Sequence, residues 1–416
     1  MKIYLVGGCI RDRLLGIKDS DKDYCVTGAT PEEMQKLGFK QCGKDFPVFL
    51  HPKTNEEYAL ARTERKNGHG YTGFICDFSK DITIEEDLLR RDLTINAIAS
   101  PIDDLNTLID PSNGLSDLKN KILRHVSDAF IEDPLRVLRL ARFYARFYYL
   151  GFTVAPETVK LCKDIARSGE LKTLTPQRIW LDTQKALKTK NPEKFFEFLK
   201  ETHALEDTIP EVYNLIDVVQ REIYHPEGDV FNHTMLTLKE ITKLTDYTPT
   251  RFAMLCHDFG KSLTIKEDLP DHPKHYLNGK TIIKSMASRL GIPNEYADLA
   301  IKISQTHSYV DFLNKSGEVI LNTFLTINGY KNPMNVTFLA QCLNADFRGV
   351  DKEGPKEFYT PYYLIYLFNK SLKVKVQDVI NDGFKDKAIS EELNRRRIMA
   401  INEGKEELLK LYGNLK

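Results

Sequence analysis

Nowhere in this chain do two cysteines stand in a CxxC spacing, and the seven present are odd in number and scattered. That argues against a disulfide framework and a structural zinc knuckle, and makes a reducing cytosol the simplest compartment. No apolar run approaches the roughly 18–20 residues that span a bilayer. The short patch Ile3-Tyr4-Leu5-Val6 follows a single Lys2 and runs into Gly7-Gly8, so it does not read as a signal peptide. No GxGxxG opens a dinucleotide fold, and there is no internal repeat or low-complexity segment. Neither sign of charge prevails, with 59 Lys and Arg against 59 Asp and Glu. What remains is a globular chain of 416 residues, 42% hydrophobic and 28% charged. At about 100–200 residues per domain it needs several cores. Zero net charge does not exclude a nucleic-acid partner, because distribution outweighs the sum. The stretch 126–190 is locally basic, with 12 Lys and Arg against 7 Asp and Glu.

Two regimes follow one another along the chain. Residues 1 to about 110 read as α/β, with strand-like runs at 2–6, 23–27, 48–50, 57–61 and 107–110 beside turn residues. Helices are expected over 9–15, 30–37 and 85–96. Thr30, Pro31 and Glu33 form a capping box with proline at the first helical position. From about Asp117 onward the pattern is helical, and Pro134, Pro156 and Pro176 each open a helix where a missing N–H costs nothing.

The densest chemistry lies in Gly7-Gly8-Cys9-Ile10-Arg11-Asp12, Leu14-Leu15-Gly16 and Asp21-Lys22-Asp23. A strand ending on two glycines before a helix lets backbone approach a phosphate closely. Positions i and i+2 of a strand share a side, so Asp21 and Asp23 present two carboxylates together. Such a pair suits Mg²⁺, which takes one or two carboxylates plus substrate phosphates and serves phosphoryl displacement. Further on, Asp133 and Arg136 stand three apart on an expected helix and therefore on one face. A carboxylate that accepts and a guanidinium that donates can imitate the edge of a base. Cytosine and adenine share a donor-beside-acceptor edge that uracil and guanine reverse. Arg136, Arg139, Arg142 and Arg146 recur at helical spacing, and arginine forks match phosphate.

Gly-Gly-x-x-Arg-Asp-x-Leu-Leu-Gly followed by Asp-x-Asp resembles the signature of class II tRNA nucleotidyltransferases and their poly(A) polymerase relatives. Arg90-Arg91-Asp92-Leu93-Thr94-Ile95-Asn96-Ala97 resembles a second motif of that family, and Glu132-Asp133-Pro134-Leu135-Arg136 a third. The resemblance implies a nucleotide pocket of Gly8, Arg11, Arg91, Asp92, Asn96, Asp133, Arg136, Arg139 and Arg142. Arg91 would meet the triphosphate or sugar, Asp92 and Asn96 the ribose, and Arg139 and Arg142 phosphates. Asp133 and Arg136 would select the base without a nucleic-acid template. Arg178, in Thr175-Pro176-Gln177-Arg178, resembles the last motif, which braces the neck. The charged stretch 61–70 would form a loop switching the pocket from C to A addition, with Arg62 and Arg65 as its working residues and His69 a bystander.

In the second half, His257-Asp258-x-Gly260-Lys261 follows an apolar run, and His233 precedes it by 24 residues. This pattern resembles the HD phosphohydrolase family, and imidazole with carboxylate suits transition metals. Asp346 is the expected final ligand, placed just after a helix, with Asp311 as the alternative. Lys261 would meet a substrate phosphate, and His275 and His307 leave room for a second metal. His225, His272 and His203 read as structural or exposed.

The expected fold is α+β, a nucleotidyltransferase head with a small mixed sheet, then an all-helical neck, body and HD tail. Its parts are 1–125 (head), 126–225 (neck and body), 226–350 (HD domain) and 351–416 (C-terminal helices). The expected activity is addition of CCA to tRNA from CTP and ATP, with Asp21, Asp23 and Arg62 catalytic and Mg²⁺ at the head. The tail is expected to hold Ni²⁺ or a similar ion and to open phosphomonoesters and 2′,3′-cyclic phosphodiesters. The chain is expected to be cytoplasmic, without a membrane partner, and a monomer or weak homodimer. Rival readings are a poly(A) polymerase, a CC-only or A-only enzyme, and a tRNA-binding protein with an inactive head.

Overall fold

The computed structural model describes residues 1–18, 22–42, 48–66, 74–308, 312–350 and 358–412. The chain forms two compact units, Met1–Ala186 with Lys194–Thr208, and Leu187–Glu193 with Ile209–Lys416. The fold is α+β. No helix among the described residues is long and apolar enough to cross a membrane.

The first unit opens with β1 (Lys2–Val6), α1 (Gly8–Leu14), β2 (Asp23–Thr27), α2 (Pro31–Lys36), β3 (Lys40–Gln41), β4 (Val48–Leu50), β5 (Glu57–Leu60), β6 (Thr63–Lys66), β7 (Phe74–Asp77), α3 (Ile84–Leu89) and β8 (Ala99–Pro101). It continues with α4 (Gly114–Asn120), β9 (Ile122–Leu123), α5 (Leu135–Phe147), β10 (Thr153–Val154), α6 (Pro156–Arg167), α7 (Pro176–Leu187), α8 (Glu193–Glu201) and α9 (Leu205–Thr208). Six strands form one mixed sheet in the order β3-β4-β5-β2-β1-β8. Within it, β2 and β5 run parallel and the other neighbours antiparallel. Strand alternation sends Tyr4, Val6 and Cys25 to one face, where they pack on Ile84 and Leu88 of α3. Val26, Tyr58 and Leu60 go to the other, against Met34 of α2. The Thr30 capping box is formed, each partner accepting the other's backbone N–H.

Three local expectations are corrected. Residues 107–110 are not a strand: Ile109 makes only an isolated bridge to Ala99. Flanking aspartates take the chain into turns, for Asp104 accepts from Asn106 and Thr107, and Asp110 from the amides of Gly114 and Leu115. The helix expected over 85–96 stops at Leu89, and Thr94–Asn96 is a separate 3₁₀ turn. Leu93 is extended (φ −124°, ψ 146°) and bridges to His125, while the Asp92 carboxylate accepts the Leu93 amide locally. Arg90, Arg91 and Asp92 therefore stand past the helix end. Asp133 does not share a helix with Arg136: it is extended (φ −115°, ψ 101°), as a residue before proline prefers.

The second unit is helical: α10 (Pro210–Tyr213), α11 (Val230–Ile241), α12 (Thr248–Cys256), α13 (His275–Leu290), α14 (Asn294–Thr306), α15 (Gly317–Thr326), α16 (Met334–Arg348), α17 (Thr360–Leu372), α18 (Val376–Asn381) and α19 (Lys387–Tyr412). The neighbours α11–α12, α11–α16, α12–α14 and α13–α14 pack together. The 3₁₀ turn Phe259–Leu263 also packs on α13, and Gly260 permits that approach, because a Cβ there would lie 1.9 Å from the His275 carbonyl oxygen.

Candidate active sites in the two units

In the first unit, β1 turns into α1 through Gly7, whose φ of +69° favours glycine, and Gly8 is the first residue of α1. The register pairs Val6 with Asp23, which brings the exposed Asp23 beside that turn. By alternation it faces the same side as Cys25. Asp21, the carboxylate expected next to it, lies outside the described residues, as do His69, Asp311 and the side chain of Arg65.

Six polar side chains from α1, α5 and the segment between α3 and β8 form one chain of opposite charges and amides. Arg146 donates to Asp12 at 2.8 Å, and Asp12 accepts from Arg11 at 2.8 Å. Arg11 donates to Asn96. Asn96 donates to Asp92 at 3.0 Å, and Asp92 also accepts from Arg139 at 2.8 Å. Arg11 is 2% exposed and its guanidinium lies 5.2 and 4.9 Å from the ring centroids of Phe143 and Phe147. Burial alone pushes the Asp92 carboxyl up, but Arg139, Asn96 and Arg136 outweigh it and hold it well below the usual range. Arg142 pairs with Asp182 of α7 at 2.6 Å and lies over Phe143. The α5 arginines expected to meet phosphates thus meet carboxylates here.

The Arg136 backbone N–H donates to the Asp133 carbonyl at 2.9 Å, but among the described residues the two side chains do not pair with each other. Asp133 pairs with Arg178 at 2.9 Å, whereas Arg136, 8% exposed, donates to the carbonyls of Ala129 and Arg90. Asp87 belongs to the site although no motif singles it out. This buried carboxylate accepts from Arg90 at 2.7 Å, Arg91 at 3.1 Å and the backbone N–H of Arg62 at 3.3 Å. Burial opposes its ionisation, yet the two guanidinium groups bring it down to about 2. Its place three and four residues before Arg90 and Arg91 is the signal the sequence holds for it.

The second unit gathers its histidines around Asp258. His257 caps α12, and Asp258 starts the 3₁₀ turn Phe259–Leu263. His233 Nε2 lies 2.9 Å from Asp346 Oδ1 and 3.9 Å from Asp258 Oδ2, and His257 Nε2 lies 3.2 Å from Asp258 Oδ2 and 3.7 Å from Asp346 Oδ1. Asp346 belongs to the last turns of α16, a correction to the expectation that it follows a helix. On the other side of Asp258, His307 and His275 stand 3.3 and 3.6 Å from Oδ1. His233, His257 and Asp346 form one group of mutually close ligand atoms, and Asp258, His275 and His307 another.

Both nitrogens of His233 face carboxylates, Glu227 at 2.7 Å and Asp346 at 2.9 Å. Burial resists its charge, but those two partners raise it to about 9. Burial chiefly lowers His275 to about 4. The Nδ1 atoms of His257, His275 and His307 lie 2.7, 2.8 and 2.9 Å from backbone carbonyls, so each leaves Nε2 with a lone pair. His257 Nε2 and Asp258 Oδ1 are buried without a hydrogen-bond partner among the described residues. Those orphaned atoms and the imidazole–carboxylate donor set fit a transition metal. His225, expected to be structural or exposed, stands beside His233 with its Nδ1 2.8 Å from Glu227. Lys261 is buried against Asp258 at 2.6 Å.

A mixed-sheet head with a Gly-Gly turn, an adjacent carboxylate and an arginine-rich pocket defines a nucleotidyltransferase. Residues 3–124 match the family model of the poly A polymerase head domain, and residues 151–215 that of a probable RNA and SrmB-binding site of polymerase A. A multifunctional CCA protein of Shewanella frigidimarina is 49% identical over 97% of this chain and 98% of its own. One from Mannheimia succiniciproducens is 48% identical over 98% and 99%. The chain belongs to the family of multifunctional CCA proteins. In fold it is similar to a CCA-adding enzyme solved with CTP (TM-score 0.64, 22% identity, 98% of this chain and 91% of that one). It is also similar to the Thermotoga maritima CCA-adding enzyme complexed with tRNA (TM-score 0.61, 22% identity, 100% and 92%).

Proposed function

We propose that the first unit adds C, C and A to the 3′ end of tRNA from CTP and ATP without a nucleic-acid template, in the cytoplasm. The observation that carries this reading is the juxtaposition of Asp23 with the Gly7 turn, one strand from a pocket of Arg11, Arg91, Asp92 and Asn96. Full-length identity near one half to multifunctional CCA proteins supports it, as do relatives in fold solved with CTP and with tRNA. The exposed carboxylate of Asp23, with Asp21, has the hard oxygen donors that Mg²⁺ takes, and the ion would stabilise charge on the attacking and leaving oxygens. The 3′-hydroxyl of tRNA attacks the α-phosphate of the nucleotide, and pyrophosphate leaves. Arg91 approaches the phosphates over Gly7. Asp92 and Asn96 hold the ribose, and Arg62 works from just before strand β6. Arg139 and Arg142 exchange their carboxylate partners for phosphate oxygens. Asp133 and Arg136 present the acceptor and donors that C and A share, with Arg178 and two carbonyls fixing them in place.

The second unit acts as a phosphohydrolase on phosphomonoesters and 2′,3′-cyclic phosphodiesters, with His233, His257, Asp258 and Asp346 as ligands for Ni²⁺ or a similar ion. The ion would supply a Lewis acid and a nucleophile at neutral pH. Glu227 holds the Nδ1 proton of His233 and so orients the ring. Asp258, flanked by His275 and His307 on its far side, could also serve a second ion.

Incubation of a tRNA lacking its 3′ end with CTP alone, ATP alone and both tests the first reading. CTP alone gives two added nucleotides, both together give three, and ATP alone gives none. Growth beyond three would make the protein a poly(A) polymerase.

A further inference from the structure

Four buried atoms around the histidine cluster of the second unit have no hydrogen-bond partner among the described residues: His257 Nε2, Asp258 Oδ1, Glu227 Oε2 and Gln220 Nε2. Those of His257 and Asp258 would be answered by a metal. The Gln220 nitrogen would not be, because a carboxamide N–H only donates. Its orientation is determined by its neighbour. Lys261 Nζ lies 2.7 Å from Oε1, and an ammonium has nothing to accept with, so the amide oxygen must face it and the nitrogen must face away. Gln220 is 9% exposed, so solvent does not satisfy that donor. Lys261 in turn stands 2.6 Å from Asp258. A buried donor beside an ammonium, one step from a metal-facing carboxylate, is arranged for an anionic oxygen.

We propose that the Gln220 amide N–H donates to a non-bridging oxygen of the phosphate ester bound at this centre, with Lys261 supplying the charge. The proposal rests on the reading of the second unit as a phosphohydrolase and adds a substrate contact to it. A groove of about 390 Å³ adjoins the site, lined by Gln220, Val219, His225, Pro226, Asp217 and Glu222 among others. It has room for a leaving group.

The test uses the full chain loaded with Ni²⁺ and the variants Gln220→Glu, which keeps an acceptor for Lys261 but loses the donor, and Gln220→Leu. Hydrolysis of 2′-AMP and 2′,3′-cyclic AMP, binding of inorganic phosphate by calorimetry, nickel content and CTP incorporation into truncated tRNA are measured. Both variants raise KM and weaken phosphate binding about 10-fold or more, while nickel content and CTP incorporation stay at the wild-type level. Wild-type KM and phosphate affinity in Gln220→Glu overturn the proposal, and so does loss of nickel together with activity in both variants. If the wild type hydrolyses neither ester but phosphate binding still falls in Gln220→Glu, the contact stands and the hydrolase reading fails. If the wild type neither hydrolyses nor binds phosphate, both fall.

Discussion

The Arg91 guanidinium occupies the space a side chain at Gly7 would need: a Cβ there would lie 2.9 Å from Arg91 Nη1. Gly7 also holds φ +69° with ψ −125°, a glycine-favoured conformation that costs other residues on the order of 1–3 kcal/mol. Gly7→Ala should therefore displace Arg91 as well as strain the turn. Expected is a fall of about 10-fold or more in kcat/KM for CTP, measured on truncated tRNA. Wild-type kcat/KM would show that neither the turn nor Arg91 serves the nucleotide.

Asp23 offers a carboxylate beside that turn. Asp23→Asn keeps its shape and removes the charge that would hold Mg²⁺. Nucleotide addition should drop by at least about a thousand-fold, an amount in line with the loss of charge stabilisation at a transferring phosphoryl group, while tRNA binding in a filter assay is retained. Addition at the wild-type rate would remove Asp23 from the metal site and leave tRNA binding as the main role.

Asp87 links Arg90, Arg91 and the Arg62 amide. Its folded value near 2 lies below the ordinary 3.8, so its ionised form stabilises the fold. That contribution is fully present above about pH 4 and is lost as pH falls through about 2, worth on the order of 2 kcal/mol. Asp87→Asn leaves two guanidinium groups short of a partner and should cost about 3 kcal/mol. Urea titrations from pH 2 to 7 should show the difference between wild type and variant shrinking toward the acid end. A difference that does not change with pH would contradict the ion-pair account.

Glu227 accepts from both His225 and His233 and is itself brought down to about 2, burial being outweighed by those two rings. A carboxylate behind a metal-binding imidazole orients the ring and raises its basicity. Glu227→Gln should weaken nickel binding about 10–100-fold by calorimetry, with CCA addition untouched. Unchanged nickel affinity would mean that His233 is not a ligand or does not need orienting.

Much of the fold around the two sites is legible in local sequence pattern. Strands, capping boxes and proline-opened helices depend on a few neighbouring residues, so β1, β2, α2 and α7 can be read from them. Motif spacing likewise marks Arg11, Arg91, Asp92, Asn96 and the His257-Asp258 pair. The pattern misleads where local turn chemistry overrides it, as at Asp92, Asp110 and Asp133, each of which uses its carboxylate to accept a nearby backbone amide.

The sequence by itself determined which side chains are candidates for chemistry and in which local element most of them lie, because those properties depend on residue type and short-range spacing. Only the tertiary structure decided which charges meet. Asp12 joins Arg146 across 134 residues, Arg142 finds Asp182, and His233 finds Asp346 across 113. Such pairings follow from how packed helices bring distant faces within hydrogen-bond reach, a distance that no spacing along the chain encodes.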